Sequence, residues 1–208
     1  MPAPKSSSLK NPQIKVSRFL FIFCSLFLVI SFMILFLTYK PVAEQEIKYY
    51  LSRFNRKQNE IKPRDLDFGI VIPRINVNAS IIKNVDPYLT NEYQQALVNG
   101  VAHTKKTGLP GEGRNIFIFA HSSGNFYQAN HYNSVFYLLH KLVPGDSILL
   151  FFNQTEFSYK VRNIAYVEET EMSYLQNENY TETLTLMTCW PPGTTLKRLI
   201  VTADKSGY

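Results

Sequence analysis

Hydrophobic positions fall into two regimes along this chain. From Phe19 to Tyr39 (FLFIFCSLFLVISFMILFLTY) twenty-one consecutive residues carry no charge, and at helical rise such a run spans roughly 30 Å, the hydrocarbon thickness of a bilayer. It predicts one transmembrane helix. Beyond Pro63 the texture changes to short β-type runs broken by Pro, Gly, Asn and Asp: Phe68 to Ile72, Ala79 to Ile82, Asn115 to Ala120, Ser147 to Phe152, Glu156 to Ile164, Thr183 to Thr188 and Leu196 to Thr202. Seven closely spaced runs predict a mainly β domain, a barrel or a sandwich. Two helical stretches interrupt them: Glu92 to Val98, capped by Thr90 or Asn91, and Val135 to Leu142, ahead of the turn Pro144-Gly145-Asp146. Between the regimes, Lys40 to about Lys62 is polar with Ile47, Tyr50, Leu51 and Phe54 at helical spacing. This reads as a spacer with a weakly amphipathic helix.

Charge sets the orientation of the anchor. Lys5, Lys10, Lys15 and Arg18 precede the apolar run with no acid among them, and positive flanks stay cytoplasmic. The N-terminus is therefore expected inside and the body of the chain outside. A cleaved secretory signal would have a shorter apolar core and a small-x-small site, whereas only Pro41-Val42-Ala43 follows here. Past the run, 18 basic residues face all 16 acids, a net charge of +2. The basic character of the whole chain is thus largely a topology signal, and no nucleic-acid footprint is expected. The triplets at Asn78, Asn153 and Asn179 match the glycosylation pattern, one that chance produces often.

There are two cysteines, and Cys24 lies inside the apolar run. Cys189 has no intrachain partner within reach, so in an oxidising space it is an accident, an intermolecular bridge or a working group. It ends the strand-like Thr183-Leu184-Thr185-Leu186-Met187-Thr188, just where Pro191-Pro192-Gly193 forces a turn. Strand ends of this kind present reactive groups on a rigid support. A thiol needs a cation or a proton acceptor to become a nucleophile. His121 stands at the end of Asn115-Ile116-Phe117-Ile118-Phe119-Ala120, and Arg198 begins the run that follows the Trp190 to Lys197 loop. An antiparallel return would bring Arg198 back beside the sulfur, where a permanently charged guanidinium can hold an oxyanion.

This constellation resembles the sortases, a family of bacterial cysteine transpeptidases. Thr185-Leu186-Met187-Thr188-Cys189 is similar to the family's Thr-Leu-x-Thr-Cys stretch, and Arg198 and His121 match its arginine and histidine in the right order. Leu109-Pro110-Gly111 with Asn115 resembles the segment that feeds the histidine strand, and Asp67 to Pro73 its opening strand. The likeness covers about residues 67–204. It implies a closed sortase-type β-barrel with short helices at 67–208, behind a cytoplasmic tail (1–18), a transmembrane anchor (19–39) and an extracytoplasmic spacer (40–66). It implies a transpeptidase that cleaves a C-terminal sorting signal of the Leu-Pro-x-Thr-Gly kind on exported proteins. Cys189 would be the nucleophile, His121 the acid/base and Arg198 the oxyanion stabiliser. The acyl group would pass to an amine, such as a cell-wall precursor or another protein. Thr188, Trp190 and Ala120 are the expected substrate-binding residues. With no second apolar span and no Asp-Pro-aromatic motif before Asp67, the resemblance points away from the pilus-polymerising subclass and towards class D or E.

Competing readings follow from the same residues. Cys189 alone could be a buried apolar residue and His121 a satisfied core histidine. Among the other histidines, His140 reads as structural, His131 as a weaker competitor and His103 as second to His121 for the acid/base role. Trp190 serves loop rigidity or lines the substrate groove. Glu168, Glu169 and Glu171 form a solvated loop where some relatives bind calcium; no metal or other cofactor is otherwise expected. The alternatives in function are a hydrolytic cysteine peptidase and a non-catalytic, membrane-anchored β-barrel binding module.

Overall fold

The computed structural model describes residues 12–54, 61–122, 134–171, 173–175 and 181–207. The chain divides into two compact units, Met1–Lys48 and Tyr49–Tyr208. A single helix, α1 (Pro12–Phe54), carries the apolar run. Its segment Leu20–Lys40 is long and apolar enough to cross a membrane, and its side chains from Leu20 to Leu37 are exposed all round. A helix apolar on every face fits a lipid environment. The spacer helix expected on its own is the continuation of α1, which runs through Pro41 to Phe54. Pro41 lacks the N–H that would bond to Leu37, one missing rung that the flanking turns tolerate.

The β unit is built from β1 (Phe68–Ile72), β2 (Val77–Val85), α2 (Thr90–Asn99), β3 (Val101–Thr104), β4 (Ile116–Phe119), β5 (Ser147–Phe152), β6 (Thr155–Glu168), β7 (Thr183–Trp190) and β8 (Lys197–Lys205). The strands close into a barrel in the order β1-β2-β3-β4-β7-β8-β6-β5, with β5 returning to β1. Closure removes the exposed edges that an open sheet must protect. Alternating side chains of the strands point inward: Ile70 and Ile72, Ile116 and Ile118, Ile148 and Leu150, Leu184 and Leu186, Leu199 and Val201 are all but fully buried. At roughly 1.5–3 kcal/mol for each fully buried side chain of this size, they supply the principal driving force. β4 is buried on both faces, because Tyr93 of α2 packs edge-on against Phe119 at 6.4 Å.

Three expectations need correcting. A strand, β3, occupies Val101–Thr104, which is not among the seven expected runs, paired with β2 in parallel and with β4 in antiparallel fashion. Gly100 admits it, since a Cβ there would meet the Ser80 carbonyl oxygen at 2.2 Å. Neither Thr90 nor Asn91 caps α2: Leu89 occupies that position without a side-chain bond, while Glu92 accepts the Asp86 N–H at 2.8 Å. The Val135–Leu142 stretch yields only a 3-10 helix, Tyr137–Lys141. Of the three Asn triplets, Asn78 clamps Lys62 and Arg64, and Asn153 forms the β5–β6 hairpin with Gln154, both at positive φ. Asn179 and His131 lie outside the described residues.

Candidate active site

Two strand pairings bring the chemistry together. β4 and β7 run parallel with Phe119 opposite Met187, so two residues further on in each chain His121 and Cys189 emerge from the same barrel end. β8 returns antiparallel to β7 with Arg198 directly opposite Cys189. All three side chains line one cavity of about 510 Å³, a volume in the range of small-ligand sites. The cavity is also lined by the apolar Leu97, Phe119 and Met187, by Tyr93 and Gln94 of α2 and by Thr194 and Thr195 of the β7–β8 loop.

Arg198 donates from Nη1 towards Cys189 Sγ at 3.5 Å, and to the Thr195 and Lys197 carbonyl oxygens at 3.3 and 3.4 Å. Its Nη2 is 2.5 Å from Glu169 Oε1. Burial pushes the half-buried Cys189 thiol up, Arg198 pulls it down, Glu169 pushes it up again, and the net is a raised pKa. Burial lowers the His121 imidazole. Both directions favour a neutral thiol and a neutral imidazole on this cavity at neutral pH. A thiol, an imidazole and a guanidinium around one cavity have the parts for acyl transfer: a nucleophile, a proton shuttle and an anion-stabilising donor.

The other expected residues sort themselves by geometry. Thr188 and Ala120 both line the cavity, but the buried Thr188 hydroxyl is committed to the Ala120 carbonyl at 2.8 Å, tying the cysteine strand to the chain before His121. Trp190 does not line it. Its indole packs on His140 at 5.0 Å and Tyr166 at 5.2 Å, as expected of the face of β7 opposite Cys189. His103 is fully buried in β3. Its Nδ1 accepts the Asn84 N–H at 3.2 Å, and its Nε2 lies 2.9 Å from the Gly108 carbonyl and 3.0 Å from Thr107 Oγ1. Nδ1 thus ties β3 to β2 and Nε2 ties it to the β3–β4 connection, so both ring nitrogens of the residue ranked second for the acid/base role are engaged away from the cavity. His140 has its Nδ1 3.0 Å from the Tyr137 carbonyl. In the acidic loop, Glu168 pairs with Lys197, Glu169 with Arg198, and Glu171 accepts the Ser173 N–H.

Glu169 is the cavity residue that the sequence reading left among solvated acids. The signal that finds it is the β6–β8 register, in which Val167 stands opposite Arg198.

The sortase domain family model matches residues 70–206, and the chain belongs to the sortase family. Sortase D of Bacillus subtilis (strain 168) is 27% identical over 133 residues, 62% of this chain and 59% of that protein. The matched stretch is thus under two thirds of that relative's length. Among solved structures, a lid mutant of sortase A from Corynebacterium diphtheriae is similar at 26% identity and a TM-score of 0.57, covering 76% of this chain and 78% of that one. The Clostridium perfringens sortase D5 transpeptidase is similar at 26% identity and a TM-score of 0.54, covering 79% and 95%.

Proposed function

We propose that this protein is a membrane-anchored cysteine transpeptidase that cleaves a Leu-Pro-x-Thr-Gly-like sorting signal near the C-terminus of exported proteins and passes the acyl group to an amine. The observation that carries the reading is the register that sets Arg198 opposite Cys189 and turns Nη1 to the sulfur at 3.5 Å, with His121 on the same cavity. The similarity to a transpeptidase of known structure supports the reaction class.

In the first half-reaction the Cys189 proton passes to His121 as Sγ attacks the threonine carbonyl carbon. A C–S bond forms, and the developing oxyanion accepts a hydrogen bond from Arg198. The threonine–glycine C–N bond then breaks, and His121 returns the proton to the leaving glycine amine. A thioester remains on Cys189. In the second half-reaction an amine attacks that thioester, His121 takes its proton, and the proton returns to the departing sulfur. Atoms and charge balance with the protein's own groups. The barrel lies on the outer face, held there by Leu20–Lys40 with its positive flank inside. Tethering raises the effective concentration of enzyme for substrates arriving at that surface.

The test uses the full chain in detergent with a Leu-Pro-x-Thr-Gly peptide, with and without added hydroxylamine or a glycine peptide. The expected products are the amide or hydroxamate when the amine is present, a thioester adduct on Cys189 by mass spectrometry, and no turnover in Cys189→Ala. Free acid as the sole product despite added amine would assign a hydrolytic peptidase instead. Full turnover by Cys189→Ala would end the proposal.

A further inference from the structure

We propose that Glu169 is a positioning residue for Arg198: its carboxylate grips one end of the guanidinium so that the other end faces the Cys189 sulfur. The inference rests on the reading of Arg198 given above. Arg198 sits in β8 between two neighbours, with Cys189 of β7 opposite it on one side and Val167 of β6 on the other. Past Val167 the chain leaves β6 at Glu168, and Glu169 reaches back to Arg198 Nη2 at 2.5 Å. Only Nη1 then addresses the sulfur and the Thr195 and Lys197 carbonyls. The guanidinium is thus held from both ends, and its side chain is 16% exposed against 57% for Glu169. The adjacent acid does not compete for it, because Glu168 pairs with Lys197 at 3.5 Å.

The grip matters because arginine carries several free rotors, and a fork held at one end loses less freedom when it binds an anion with the other. A donor aimed in advance at the site of developing charge stabilises the transition state without reorganising. Glu169 also exerts an opposite effect. It lines the cavity, and its negative charge disfavours the thiolate. Among the described residues, the titratable and charged groups that share the cavity with Cys189 are Arg198 from β8, Glu169 after β6, His121 after β4 and Tyr93 of α2. Position and charge can be separated, since glutamine keeps an acceptor oxygen for Nη2 and drops the charge.

The experiment compares Glu169→Ala, Glu169→Gln and Arg198→Ala in the full chain in detergent. Turnover is read with the Leu-Pro-x-Thr-Gly peptide plus hydroxylamine, and the pH dependence of Cys189 alkylation with iodoacetamide. Glu169→Ala is expected to lower kcat about 10- to 100-fold with KM little changed, as for a misaimed transition-state donor. Glu169→Gln is expected to recover most of that loss and to move the alkylation midpoint to lower pH. Wild-type kcat in Glu169→Ala, alongside an inactive Arg198→Ala, would overturn the positioning role and leave the reading of Arg198 standing. Equal impairment of the Gln and Ala variants would also overturn it, by showing that charge rather than the held fork is what counts. An active Arg198→Ala would defeat the reading of Arg198 itself.

Discussion

Glu182 immediately precedes β7, and its side chain is only 6% exposed. Its Oε1 accepts the Tyr159 hydroxyl at 2.6 Å, and its Oε2 accepts the N–H groups of Gly111 and Gly113 at 3.0 and 3.3 Å and Lys205 Nζ at 3.2 Å. It therefore ties the loop that feeds β4 and His121 to the base of the cysteine strand. Glu182→Ala strands the fully buried Tyr159 hydroxyl, a loss of roughly 1.5–3 kcal/mol for a bond to a charged acceptor. The two loop amides add about 1 kcal/mol each. The partly exposed Lys205 adds little. The sum, about 3.5–5 kcal/mol, corresponds in a domain of this size to a fall in Tm of about 10–15 °C. Burial pushes the Glu182 carboxyl up, but its donors outweigh that and hold it below the usual carboxylate range. The stabilisation is consequently complete above the ordinary carboxylate pKa and is lost as pH falls through the lowered one. Melting the full chain in detergent across a pH series, followed by the fluorescence of the single tryptophan, Trp190, measures both effects. A variant that melts within about 2 °C of wild type at neutral pH, or a difference that does not shrink in acid, would refute the reasoning.

Two further outcomes are expected. The pH profile of kcat/KM should be a plateau broader than the interval between ordinary imidazole and thiol pKa values, because burial raises Cys189 and lowers His121. The acid limb marks protonation of His121 while Cys189 keeps its proton, and the alkaline limb marks loss of the last proton of the pair; a profile narrower than that interval contradicts the assignment. Thr188→Val removes the donor to the Ala120 carbonyl while keeping the side chain's shape. Chemical denaturation should show a loss of about 1–2 kcal/mol, with kcat falling more than KM changes, and an unaltered midpoint would show that the bond carries no weight.

Periodicity located most of the barrel. The runs Phe68 to Ile72 and Ser147 to Phe152 coincide with β1 and β5, since both are short apolar runs bounded by clear turn signals. β3 was illegible because four residues that include an alanine and a histidine have little strand character of their own. Pairing with β2 and β4 holds them extended, which is a tertiary effect. The α2 cap misled because the helix starts one residue earlier than the polar pair suggests: the Leu89 carbonyl accepts the Glu92 and Tyr93 N–H groups, so Thr90 and Asn91 already lie inside the first turn. In the candidate site, Cys189, His121 and Arg198 were singled out through family likeness, and the register explains why residues so far apart in sequence line one cavity. Glu169 was not, because its contact with Arg198 depends on a β6–β8 pairing whose register shifts between Val161 and Asn163. No local pattern encodes such a shift.

The parallel pairing of β4 with β7 separates the placing of Cys189 and His121 from the route the polypeptide takes between them. Rungs of main-chain bonding set how far the sulfur stands from the imidazole, so the turns and surface excursions between Ser122 and Glu182 can lengthen, shorten or change composition without altering that separation. Variation at the rim can then change what the cavity admits. The spacing of sulfur and imidazole beneath it stays with the strand ladder.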